Sequence, residues 1–520
     1  MHQNFKLFIN HNKKNFKKVR DRTKGQILIE FNNWSVAHIL ASYLGNILST
    51  KYNARMIGFE GYTLISSRLN LSIFDKFKYF LSKNFFGKYY KVYNSFNVEK
   101  FIRPSIETDI MEKSKKKYLA IVKKISSKEK LLNLKIEGVI IGDLIYDTFL
   151  KIKKLPTVDI NSDILKNYIF ECIQVFYYWK KYFENNNVKS VITVHPTYLY
   201  GIIMRLACQK NIPVYRAHVN SVQYIKQKNY NAGKPFGDYP KYFNLLNTKN
   251  KIELINKSKL LLEDILKKKV ESPKLKKFEP KIKKNEKISV LIAMHNFYDS
   301  PHVFGKLLFP DFYEWLIYLV KISKKTDYKW YLKLHPENDI KDFKFIKKII
   351  GKKGNIEILP SDVTHKFVLK KKIQFVLTCF GTIGYEYAYL GLTVINACKF
   401  NPHQAYNFNL NPKNILEYSK IIKNLRQYLI KPPKKEILEF FYIRHTLLSN
   451  NCLDIKKKKL KNVFKWQNEI YKPELYKIWV KNCNKKKHNK IYEFFKDFIN
   501  SKKNVSIVSR DQNLNLLNYD

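Results

Sequence analysis

The stretch FVLTCFGTIGYEYAYLGLTVINA, Phe375 to Ala397, decides the fold. An apolar run ending at Cys379 reads as a buried strand, a turn with two glycines follows, "YEYAYLG" has helical spacing, and "TVINA" returns to β-branched strand character. A strand, a helical crossover and a second strand form the unit from which parallel sheets are built.

The same alternation extends upstream. Strand "ISVLIAMH", helix "DFYEWLIYLVKISKK", strand "YKWYLKLHP", helix "DIKDFKFIKKIIGKK" and strand "NIEILP" precede it. An independent series lies nearer the start, with "QILIEF", the helical "NNWSVAHILASYLGNILSTKY" and "ARMIGFE", then "VKSVITVHP", "TYLYGIIMRLACQKN" and "IPVYRAH". Between the two series, "KKKVESPKLKKFEPKIKKNEK" is rich in Lys and Pro and reads as a linker. The expected domains are therefore residues 1–266, a linker at 267–287, a second α/β domain at 288–430 and a Lys-rich helical extension with a polar tail at 431–520. In open α/β sheets ligands sit beyond the carboxyl ends of the strands, which confines the search for a site to those ends.

At the end of "CFGTIGYE", Gly381 and Gly384 permit close approach, Thr382 adds a hydroxyl, and the helix start offers unpaired N–H groups, a phosphate-type cradle. Glu386, one helical turn beyond Thr382, falls within reach of a nucleotide's sugar hydroxyls. The preceding strand ends in Lys333, His335 and Pro336; the proline forces the chain out of the strand, and the imidazole can hydrogen-bond a departing phosphate. The dipeptide alone is weak, because His195-Pro196 repeats it at the end of "VITVHP".

Loop "MHNFYDSPHVFG" brings together His295, Asp299 and His302, at a spacing that fits contact with substrate better than a regular zinc motif. His195 and His218 close strands of the first domain and are further site candidates. In "EGVIIGDLIYDTFL", Asp143 follows what reads as a strongly apolar strand; helix N-cap and working acid or base are both open readings.

Composition limits the alternatives. With 45% hydrophobic and 15% aromatic residues the chain is globular. A net charge of +54 admits nucleic acid, an anionic membrane surface or an anionic substrate. The excess is lysine scattered through runs such as "KSKKKY" and "IKKKKLKN", which reads as solvated helix faces in an AT-rich coding background. No apolar run approaches the ~20 residues of a membrane span, the start lacks a secretory core, and six cysteines without a CxxC pair suggest neither zinc nor disulfides. The expected location is the cytoplasm, including its membrane face.

"KLHPEN", the "CFGTIGYEYAYLGLTVINA" unit and the two-domain layout resemble bacterial capsular-polysaccharide transferases of GT-B fold, the group of capsule Kdo transferases and bacterial sialyltransferases. The resemblance implies an α/β fold of GT-B type, with two Rossmann-like domains facing across a cleft. It assigns His335 and Pro336, together with Thr382, to the phosphate of a nucleotide-sugar donor. The turn is also similar to the Gly-Gly-x-x-x-Glu segment of UDP-sugar enzymes and of UDP-N-acetylglucosamine 2-epimerase, which puts Glu386 on the ribose. The family's acidic Asp/Glu-Asp/Glu-Gly base motif is absent, and "IGDLIYD" with Asp143 is the expected substitute. The resemblance further implies an inverting, metal-independent glycosyltransferase of surface-polysaccharide assembly that uses no cofactor. It would move a sugar from a CMP- or UDP-sugar to a glycan or lipid-linked acceptor. A CDP-glycerol-type glycerophosphotransferase, a nucleotide-sugar epimerase and, from another class, a basic nucleic-acid-binding protein are the competing readings.

Overall fold

The computed structural model describes residues 2–17, 23–60, 87–217, 222–226, 234–244, 246, 248–270, 282, 286–338, 340–351, 354–360, 362–447, 472–501 and 505–506. The chain forms two compact units. The first comprises Met1–Thr148, Ile160–Tyr230 and Leu448–Asp520, and the second Phe149–Asp159 and Asn231–Leu447.

In chain order the strands of the first unit's segments are β1 (Gln26–Phe31), β2 (Arg55–Glu60), β3 (Val98–Ile102), β4 (Lys135–Ile136), β5 (Val139–Ile140), β6 (Val188–Thr193), β7 (Val214–Ala217) and β8 (Val222–Ile225). The second unit contributes β9 (Ser289–Ala293), β10 (Lys329–Lys333), β11 (Ile356–Leu359), β12 (Phe375–Thr378) and β13 (Thr393–Asn396), and β14 (Val505–Ser506) returns to the first.

The first sheet has the order β14-β8-β7-β6-β1-β2-β3, parallel from β7 to β3 and antiparallel at β8 and β14. Strand β1 lies near its middle, and Ile27, Leu28 and Ile29 are all fully buried, as expected where both faces of a parallel sheet are covered. Helix Ser35–Tyr52 is buried on every side from Ser35 to Ser49. One side meets the sheet. Against the core that this helix shares with the sheet pack Leu475, Tyr476 and Trp479 of helix Glu474–Asn482, and Phe495 and Phe498 of helix Lys485–Ser501. Its polar residues are satisfied inside that double cover: the His38 ring bonds the Tyr476 hydroxyl, and the Tyr43 hydroxyl lies 2.8 Å from Nδ1 of His488.

The second sheet is wholly parallel, in the order β11-β10-β9-β12-β13. Trp315, Leu316 and Leu319 from helix Phe312–Ser323 fill its core against Val290, Ile292, Leu332 and Leu377. Asp311 caps that helix through the N–H of Glu314 at 2.8 Å and accepts from Thr157 at 2.5 Å.

Four expectations about organisation are corrected. The first domain does not end at 266: helix Thr248–Val270 belongs to the second unit, packed along helices Lys434–Tyr442 and His365–Lys370. The linker expected at 267–287 therefore begins inside a helix, and most of its remainder lies outside the described residues. The C-terminal extension is no single appendage, since its first helix joins the second unit and its later helices complete the core of the first. The apolar strand expected before Asp143 is a two-residue hairpin, β4–β5, because Glu137 (φ 49°) and Gly138 (φ 82°) take the left-handed region and turn the chain back at once. Among the described residues no helix is long and apolar enough to cross a membrane.

Candidate active site

Each of the two larger sheets has one place where the direction of strand addition reverses. In the second unit the chain lays β9, β10 and β11 outward on one side, then returns to the opposite flank of β9 with β12 and β13. The reversal lies between β9 and β12, and ligands of open α/β sheets bind beyond the carboxyl ends of the strands at such a point. His295 follows β9, His335 follows the adjacent β10, and Gly381 follows β12, so the sequence-predicted residues of this unit share one edge.

His335 is held by its own turn. Its N–H donates to Oδ1 of Asn338 at 2.9 Å, Asn338 donates from Nδ2 to Asp342 at 2.9 Å, and Nδ1 of His335 accepts from the N–H of Glu337 at 3.2 Å. Burial lowers the His335 pKa against the pull of Glu337 and Asp299, so the ring is neutral. With Nδ1 an acceptor, the ring's one proton sits on Nε2, which is therefore a donor. Asn338 and Asp342 escaped the sequence reading, although an Asn two residues after a Pro is a turn signal.

His295 has a different task. Its Nε2 accepts from the N–H of Cys379 at 3.2 Å and lies 3.1 Å from Oγ1 of Thr378, while the ring stacks on Phe312 with centroids 4.7 Å apart. It ties the end of β9 to the end of β12 across the reversal point. Burial, then the neighbouring His335, push its pKa down to about 3. The metal-like grouping with Asp299 and His302 does not converge: Asp299 pairs with Lys151 at 3.2 Å, and the buried His302 meets the carbonyl of Pro310 at 2.9 Å.

The glycines divide. A Cβ on Gly381 would make only ordinary contacts with Thr378 and His295, whereas one on Gly384 would overlap the His403 ring. Gly384 serves helix packing, which corrects its assignment to the ligand. Thr382 is exposed at the start of the short helix Ile383–Tyr389.

Glu386 is neither solvated nor open to a sugar. It is 1% exposed, takes both hydrogen bonds of Lys269 (2.7 and 2.8 Å), and accepts from Nε2 of His365 at 2.8 Å. Burial opposes its charge, yet His365 and Lys269 bring its pKa down to about 2. Lys333, whose Nζ donates to the carbonyl of Val363 at 2.6 Å, lies close enough to Lys269 for each charge to feel the other, and burial with that repulsion lowers the Lys333 pKa. The buried Glu386 thus faces two half-buried ammonium groups, and Asp362 adds a second carboxylate to the charges that Lys333 feels. Lys269 came from the supposed linker and was missed.

In the first unit the reversal lies between β1 and β6, since β2 and β3 extend one way and β6 and β7 the other. His195 stands there, just past β6. Its Nδ1 is 2.5 Å from Oε1 of Glu30, a 1%-exposed residue of β1. The other oxygen, Oε2, accepts from the Thr193 hydroxyl (2.7 Å) and from the N–H groups of Val194 (2.6 Å) and His195 (3.0 Å). Burial opposes ionisation of Glu30, but the His195 and Thr193 contacts prevail and hold it below the usual carboxylate range. Glu30 was missed; its signal was an acid inside the apolar run "QILIEF".

Asp143 is corrected. Its two oxygens receive a bidentate bond from Arg205, both arms 2.7 Å, and Arg205 also donates to the carbonyl of Ile140. This pair fastens helix Gly142–Lys153 to helix Tyr200–Gln209 and leaves the carboxylate poorly suited to take a proton. His218 lies outside the described residues.

No protein-family model and no curated protein matches the chain. Among solved structures, it is similar to KpsC, a beta Kdo 2,4 transferase of Thermosulfurimonas dismutans, at 14% identity and TM-score 0.29 over 49% of this chain and 79% of that one. It is also similar to UDP-GlcNAc 2-epimerase from Neisseria meningitidis, at 11% identity and TM-score 0.24 over 80% and 98% of the two chains. A glycosyltransferase from Rickettsia africae matches at 13% identity and TM-score 0.24 over 85% and 100%. At such identities and TM-scores these likenesses decide nothing about activity, and the α/β assignment stands on the sheet topology.

Proposed function

We propose that the chain is an inverting glycosyltransferase that moves a sugar from a nucleotide donor, a CMP- or UDP-sugar, to a glycan or lipid-linked glycan of a surface polysaccharide. The observation that carries this reading is the donor-rich edge of the second sheet. There, Nε2–H of His335 follows β10, one strand from the topological reversal, and shares the carboxyl edge with Lys333.

In this reading the nucleotide phosphate lies at that edge, with Nε2–H of His335, the Thr382 hydroxyl and Lys333 as its contacts. Gly381 leaves the room for close approach, and Pro336 stiffens the turn. As the glycosidic C–O bond breaks, negative charge builds on the phosphate oxygen, and preformed donors in a partly desolvated site stabilise it without reorganising. Glu386 acts as the counter-ion that keeps Lys269 and His365 in place. The acceptor would occupy the first unit.

Thermal-shift titration with CMP, CDP, UDP, GDP and ADP, with and without duplex DNA, tests the proposal. Stabilisation by CMP or UDP, lost in His335→Ala, is expected; at ~100 times Kd the ligand adds about 2.7 kcal/mol. No response to any nucleotide, together with tight salt-sensitive DNA binding, would overturn it.

A further inference from the structure

The two His-Pro histidines are set up in opposite senses. His335 receives an N–H on Nδ1, so its proton is on Nε2. His195 faces a carboxylate on Nδ1, and a carboxylate that already accepts three hydrogen bonds on its other oxygen is ionised and can only accept. Nδ1 of His195 must therefore carry a proton, and Nε2 is the nitrogen through which the neutral ring can accept one. The ring is clamped edge-on by Trp34 (centroids 4.5 Å apart) and stacked on Tyr200 (5.2 Å), and its side chain is 20% exposed. A tie between β1 and β6 would need only the Oε2 contacts. The second carboxylate oxygen does something more: it orients, through Nδ1, a partly exposed imidazole that follows β6 at the reversal point.

We propose that His195 is the base that deprotonates the acceptor hydroxyl, with Glu30 as the residue that positions and charges it. The inference rests on the transferase reading above. The acceptor O–H proton passes to Nε2 of His195, and the oxygen forms its bond to the anomeric carbon. The bond from that carbon to the donor phosphate breaks, and its electron pair leaves on the phosphate oxygen. The imidazolium, paired with Glu30, then returns its proton to water. Charged and titratable groups around the ring are Glu30, Tyr200, the Tyr93 hydroxyl that donates to the Glu30 carbonyl, and Arg216, whose Nε donates to the Val194 carbonyl at 3.3 Å.

The test follows nucleotide release from UDP-N-acetylglucosamine and CMP-Kdo across roughly pH 5 to pH 9 for wild type, His195→Asn, Glu30→Gln and Glu30→Asp. His195→Asn is expected to lower kcat ~100-fold or more, with donor KM and the nucleotide-induced thermal shift unchanged, and to abolish the acid limb of the profile. Glu30→Gln is expected to move that limb as well as lower kcat, and Glu30→Asp to recover part of the loss. A purely structural dyad would change stability and leave the limb in place. Wild-type turnover that survives in His195→Asn overturns the base assignment and leaves the transferase standing. Wild-type protein that neither responds to nucleotide nor releases it overturns both.

Discussion

Single residues separate chemistry from packing, and their bonding partners are the criterion. Asp143 and Glu30 are both acids in apolar segments, and sequence context alone singled out Asp143. The Asp143 carboxylate is spent on Arg205, whose side chain is 5% exposed. Asp143→Asn would leave without its counter-charge a buried guanidinium whose Nε already has no hydrogen-bond partner among the described residues, and should cost about 3 kcal/mol in chemical denaturation. Turnover per folded molecule should stay at the wild-type level; a 100-fold loss of kcat in folded protein would restore Asp143 to the mechanism. Glu386 makes a pH prediction whose sign is fixed. Its carboxyl ordinarily titrates at 4.5 and is held down to about 2, so its contribution is full above the ordinary value and fades as pH falls through about 2. Melting temperature followed from neutral to acid pH should show this loss in wild type. Glu386→Gln should already be destabilised at neutral pH and show a flatter acid slope.

Secondary elements were legible where one period dominated. The parallel strands with their intervening helices are readable from runs such as "VLIA" and "FVLT" and from helical spacing in "EWLIYLVKI", because burial on both faces of a sheet leaves an unbroken apolar signature. What stayed hidden were elements whose partner is remote in sequence. Helix Glu474–Asn482 reads as a Lys-bearing surface helix, yet Leu475, Tyr476 and Trp479 are buried against Val36, Leu40 and Tyr43 in one cluster more than four hundred positions away. Nothing in its local pattern names that partner. Trp479→Ala should therefore destabilise the first unit by about 3–5 kcal/mol, as a large buried aromatic does when its cavity cannot collapse. Limited proteolysis should then cut within residues 26–60 while sparing 289–396. Equal cleavage of both stretches would argue against the assignment of the C-terminal helices to the first core.

At the scale of the whole molecule, the net charge of +54 is the property the sequence displays most openly and the one that decides least. Charge acts through where it is held, and most lysines on the described helices are exposed, where screening leaves them little specific effect. The cations held in place are the small, partly buried set around Glu386, in which Lys269 and Lys333 lie 64 positions apart and were brought together by the fold. The dyad of the first unit was equally illegible, because Glu30 and His195 are separated by 165 positions and meet only when β6 is laid beside β1. Each unit thus assembles its polar apparatus at one topological reversal, and the transferase reading gives the two edges different ligands. Hydrogen exchange with a saturating nucleotide tests that division directly. Protection should appear in the segments after β9, β10 and β12, around residues 294–303, 334–338 and 379–386. The segments after β1 and β6, around residues 31–35 and 194–199, should exchange as in free protein until an acceptor is added. Nucleotide protection centred on Glu30 and His195 instead would assign the donor to the first unit and reverse the roles of the two histidines.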